Sequence, residues 1–104
     1  MAHGFFQDSA GNLIAPIDFP GATGTYPHGL NDQGQVVGRY YDDRGLAHGF
    51  LRRLPDFFLS FDYPHAILTD FDEINNRGLI CGHYEDDGGR LHGFIARLKR
   101  KTAQ

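Results

Sequence analysis

Apolar and polar positions alternate over short runs along this chain, and clusters of Asn, Asp and Gly separate the runs. Alternation with a period of two puts successive side chains on opposite faces of an extended backbone, so each run predicts a β-strand. In the middle of the sequence the expected strands are 26–31, 35–41, 46–53 and 57–63. Between them, NDQG (31–34) and DDRG (42–45) place Asn or Asp first and Gly fourth. The first side chain accepts backbone N–H groups further along the turn, and Gly takes the positive φ that a Cβ resists, so both segments predict tight hairpins. Val36-Val37 and Ile80-Cys81 interrupt the alternation with adjacent apolar residues. That departure predicts strands covered on both faces, with Cys81 as a small buried apolar side chain.

The pattern is written more than once. At an offset of 44, Asp18, Pro20, Ala22 and Thr25 recur as Asp62, Pro64, Ala66 and Thr69, and Asn31, Gly34, Gly38 and Tyr40 as Asn75, Gly78, Gly82 and Tyr84. Asp42, Asp43, Gly45, His48, Gly49 and Phe50 recur as Asp86, Asp87, Gly89, His92, Gly93 and Phe94, and His3-Gly4-Phe5 opens a third, partial copy. Four short strands in a period of this size are the signature of propeller blades, in which twisted sheets pack face to face around an axis. The expected fold is therefore all-β, built of β-propeller-like, four-stranded antiparallel meanders with a period of about 44 residues. Residues 1–98 form one β-repeat domain, with a full blade at 25–64 and partial blades at 3–20 and 69–98, and residues 99–104 form a basic tail.

Propellers close with about four to eight blades. Two copies leave open edges that invite further strands, so self-association is expected, a homotrimer ahead of a homodimer. A compact β-sandwich monomer and a piece of a longer repeat array are the alternatives.

The succession H-G-F, D-[FY]-P and [LI]-N-x-x-G-x-[IV]-x-G-x-Y-x-D, carried by residues 3–98, resembles the bacterial HAF repeat, whose triplet is usually His-Ala-Phe. The resemblance implies a β-repeat fold and an extracellular setting; Gly4, Gly49 and Gly93 stand where that family usually has Ala.

Composition narrows the partners. Six Arg against thirteen Asp and Glu leave residues 1–96 at a formal −7, which repels phosphate backbones and anionic lipid heads, so neither nucleic acid nor membrane is an expected partner. Four of the ten basic residues (Arg97, Lys99, Arg100, Lys101) crowd the C-terminal end, where a solvated tail is the plain reading. The single cysteine excludes an intrachain disulfide.

The chemistry is sparse. There is no nucleophile elbow, P-loop, HExxH or paired-Cys motif. Asp42, Asp43, Asp86 and Asp87 are candidate ligands for Ca²⁺, although hairpin turns want Asp at the same places. No other cofactor is called for. His3, His48 and His92, with Phe50, Phe94, Gly38 and Gly82, recur as structural positions; a repeated His ties neighbouring strands or loops, and Asp18 and Asp62 close loop turns. Positions where the copies differ are freer to serve a ligand, which points to Arg39, Tyr41, His83 and Glu85. The expected function is a non-enzymatic binding or scaffolding module for a glycan or other polar molecule. A purely structural assembly unit and a His/Asp-dependent hydrolase or lyase are the other readings.

Overall fold

A computed structural model describes residues 4–7, 13–53 and 57–97. His3 and the 99–104 tail lie outside the described residues. The described chain is all-β and contains no helix. A hairpin of β1 (Gly4–Gln7) and β2 (Leu13–Ile17) precedes a meander of β3 (Gly24–Leu30), β4 (Val36–Tyr41), β5 (Ala47–Arg53) and β6 (Phe57–Phe61). A second meander follows, of β7 (Leu68–Ile74), β8 (Leu79–Glu85) and β9 (Leu91–Arg97). One parallel pair, Ala47 opposite Leu68, joins β7 to β5, so β3 to β9 form a single open seven-stranded sheet.

The turns follow from their residues. Asn31 Oδ1 accepts the N–H groups of Gln33 (3.1 Å) and Gln35 (2.9 Å), and Asp42 Oδ1 those of Arg44 (2.8 Å) and Leu46 (3.0 Å). Asn75 and Asp86 make the same two bonds 44 residues later. Each turn ends on a glycine with φ between 78° and 84°. Gly38 and Gly82 answer a different constraint. Each lies beside a bulge in the preceding strand, between Pro27 and Gly29 or between Phe71 and Glu73. A Cβ would stand 2.1 Å from the Tyr26 carbonyl oxygen at Gly38 and 2.4 Å from that of Asp70 at Gly82.

Two apolar clusters hold the layers together. Val37 and Leu51 pack with Phe71, Ile74 and Ile80, joining the two meanders. On the other face of the first meander, Val36, Tyr40 and Phe50 pack with Ile17 and Phe19. The Phe19 ring lies flat on Tyr40 and the Tyr63 ring flat on Tyr84, each at 3.8 Å between centroids. The loops carrying those rings are anchored alike: Thr25 Oγ1 accepts the Phe19 N–H and Thr69 Oγ1 the Tyr63 N–H, both at 3.0 Å. The turns also meet, since Asn76 and Asp32 exchange two hydrogen bonds of 2.8 Å.

Cys81 corrects an expectation. It is exposed, whereas Val37 at the equivalent position has no accessible surface. The backbone of β8 matches that of β4, but among the described residues no sheet covers the face that Cys81 shares.

Candidate functional site

Asp70 is the polar centre of the molecule. It lies on β7 opposite His83 of β8, and its side chain is 2% exposed. Arg39 on β4 donates from Nη1 to Asp70 Oδ2 at 3.0 Å, and His28 Nε2 on β3 lies 3.1 Å from the same oxygen. The guanidinium also stands over the rings of Tyr26 (5.4 Å) and Tyr41 (5.5 Å), which meet edge to face. Burial pushes the Asp70 carboxyl above the usual carboxylate range; the charges of His28 and Arg39 oppose the shift, and Asp72 adds to it. Two buried atoms here have no hydrogen-bond partner, Asp70 Oδ1 and Arg39 Nε.

Beside this carboxylate, His83 Nδ1 lies 2.8 Å from Asp72 Oδ2. A carboxylate only accepts, so Nδ1 carries the proton and Nε2 of the neutral ring keeps its lone pair. That Nε2 stands 4.0 Å from Asp70 Oδ2, beyond hydrogen-bond range. Ligand-type atoms of Asp70, Asp72 and His83 all fall within 4.8 Å of one another.

Arg39 and His83, singled out because the copies differ there, thus come together around Asp70. Tyr41 joins them through its ring contacts, while Glu85, two residues beyond His83, stays outside the cluster. The sequence reading missed Asp70, Asp72 and His28 as members. The signal was present, because position 26 against 70 reads Tyr against Asp, and 28 against 72 reads His against Asp.

The other acidic candidates are placed differently. Asp42 binds two backbone N–H groups through Oδ1 and His48 Nε2 through Oδ2 at 2.7 Å. Asp86 repeats the arrangement with His92 at 2.8 Å. Asp43 and Asp87 are exposed. Hydrogen bonding from His48, then from the Leu46 N–H, lowers the Asp42 pKa from 3.8 to about 2. Asp62 takes the other nitrogen, Nδ1, of His48 rather than closing its own turn. Burial disfavours the charged imidazole, yet the hydrogen bonds to Asp42 and Asp62 outweigh it and raise the His48 pKa above 6.5.

A second surface is apolar. On β8 and β9, Cys81 pairs with Ile95 and Glu85 with Leu91, and Leu91 and Ile95 are 67% and 76% exposed. The equivalent pairs on β4 and β5 are Val37 with Leu51 and Tyr41 with Ala47; there Leu51 and Ala47 are 1% and 6% exposed. On the opposite face of β8 and β9, an apolar cleft of about 190 Å³ opens between the meanders, lined by Leu51, Leu59, Phe61, Phe71, Ile80 and Ala96. Compared with protein-family models, curated proteins and solved structures, the chain gives no match.

Proposed function

We propose that the chain is a non-enzymatic binding and scaffolding module, a β-propeller-like unit whose meanders act as blades and whose ring is closed by copies of itself. The observation that carries this reading is the uncovered face of β8 and β9. Its Cys81–Ile95 pair and Leu91 stand where Val37–Leu51 and Ala47 stand on the face of β4 and β5 that β7 and β8 bury within the same chain. A surface of that shape and chemistry suits another sheet of the same kind. Covering Leu91 and Ile95 would contribute about 1.5–3 kcal/mol each if burial were complete. Asn75 and Asn76 stand ready for a further turn as Asn31 and Asp32 stand to them.

Three chains give six blades, within the range of about four to eight that closes a propeller. Two chains giving four is the smaller solution. The resemblance to HAF-type repeats agrees with this architecture, and the cluster beside Tyr26 and Arg39 offers the polar and aromatic groups that a glycan or similar ligand needs.

Native mass spectrometry at micromolar concentration tests the reading. A species at three times the 11.7 kDa chain mass is the expected result. A species at twice that mass keeps closure and replaces six blades with four. A monomer that persists to about a hundredfold above ordinary micromolar working concentrations overturns self-closure, since apolar interfaces of standard size hold at least that tightly.

A further inference from the structure

We propose that Asp70 and His83 bind a divalent transition-metal ion, with Asp72 orienting the His83 ring and Arg39 and His28 holding the second oxygen of the Asp70 carboxylate. Nothing in the assembly reading requires such a site. The first support is the orphaned atom: Asp70 Oδ1 is buried and has no donor, while Oδ2 is engaged by Arg39 and His28. A buried carboxylate oxygen without a partner is costly, and a cation is the partner its charge favours.

The second support is the orientation of His83. Its Nδ1–H is bound by Asp72, which leaves the lone pair on Nε2. A ligating histidine bound on its far nitrogen by a carboxylate is a recurring arrangement at metal centres, because the bond sets the tautomer and strengthens the donor. Asp70 Oδ2 and His83 Nε2 are 4.0 Å apart. Oδ2 is the oxygen that Arg39 and His28 hold, so this distance places the imidazole beside the carboxylate rather than on its partner-free oxygen. Ligand-type atoms of Asp70, Asp72 and His83 lie within 4.8 Å of one another, and an ion takes Oδ1 once the half-exposed His83 ring turns its Nε2 to that side of the carboxylate.

Composition of the donor set selects the metal. Imidazole nitrogen with carboxylate oxygen suits Zn²⁺, Ni²⁺ or Cu²⁺ rather than an all-oxygen ion such as Ca²⁺. Asp72 and His83 are half-buried, so an ion has a route to Asp70.

The test is calorimetric titration of the metal-stripped full chain with ZnCl₂, repeated for His83→Gln, Asp70→Asn and, as a control at the other His/Asp group, His48→Gln. One zinc per chain is expected, with binding abolished by His83→Gln and Asp70→Asn and unchanged by His48→Gln. Asp72→Asn should weaken binding by about 10–100-fold, as loss of a carboxylate behind a ligating histidine does. If Asp70→Asn fails to fold, the half-exposed His83→Gln variant decides alone. No zinc binding by the wild-type chain, or binding that survives His83→Gln, overturns the proposal, and its loss in His48→Gln would move the ion to the other His/Asp group; the orphaned atoms would then share a water. Because the readout is zinc per chain, it is independent of whether the ring forms.

Discussion

Val37 and Cys81 stand at equivalent places on β4 and β8, opposite Leu51 and Ile95, yet Val37 is fully buried and Cys81 is exposed. One backbone geometry has produced an interior residue and a surface residue. The difference lies in what packs next to them: β7 and β8 cover the first face, and no described element covers the second.

Charge placed on the two faces separates their roles. Leu51→Asp buries an unpaired carboxylate in the cluster with Phe71 and Ile80, and the chain should not fold. Ile95→Asp should leave the circular dichroism spectrum and melting temperature of the single chain unchanged while dispersing the assembly, as read by light scattering. Retention of the assembled mass by Ile95→Asp would show that this face is not the contact.

Gly38 and Gly82 should tolerate no side chain. Ala at either place drives a Cβ into a carbonyl oxygen of the bulged neighbouring strand. Overpacking of this kind costs about 1–3 kcal/mol, and the backbone contact puts Gly38→Ala at the upper end. Urea unfolding measures it; a midpoint equal to the wild type would mean that the bulge relaxes freely.

Thr25 and Thr69 offer a matched pair. Thr69→Val keeps the shape of the side chain but leaves the Tyr63 N–H without its acceptor, as Thr25→Val does for Phe19. Each change should cost about 1–3 kcal/mol, the usual penalty for stranding a buried polar group. Both loops should respond alike, because each Thr holds a ring onto the tyrosine of the adjoining strand.

Stability should fall on both sides of a plateau. Asp42 titrates at about 2 instead of 3.8, so its contribution is complete above 3.8 and is lost as pH falls towards 2. His48 titrates above 6.5, so its contribution is complete below 6.5 and is lost as pH rises through the folded value. The midpoint temperature of the wild type should therefore drop as pH rises above 6.5, and His48→Gln should flatten that drop. An identical slope in the variant would assign it to other groups.

The strands and turns were legible because their causes are local. Asn or Asp first and Gly fourth close a turn through bonds within five residues, and the four strands of the first meander lie within two residues of the boundaries that alternation marks. The structural pairing of His48 was half legible: its recurrence points to a tie, but Asp62 as the partner across 14 positions is not written in any local pattern.

The site around Asp70 divides in the same way. Comparing one copy with the other marks Arg39 and His83 as places released from a shared requirement. It does not say that Arg39 crosses to Asp70, 31 positions away, or that Asp72 turns the His83 ring. Those contacts arise only when β7 packs beside β3 and β4.

By itself the sequence determined an all-β chain, its turns and the spacing of its equivalent positions, since these rest on backbone geometry and on side chains a few residues apart. Tertiary structure decided which face of each strand is interior, which carboxylate is buried and that Cys81 meets solvent. Burial is a property of neighbours: Val37 and Cys81 share a strand geometry, and only the presence or absence of the next layer sets them apart.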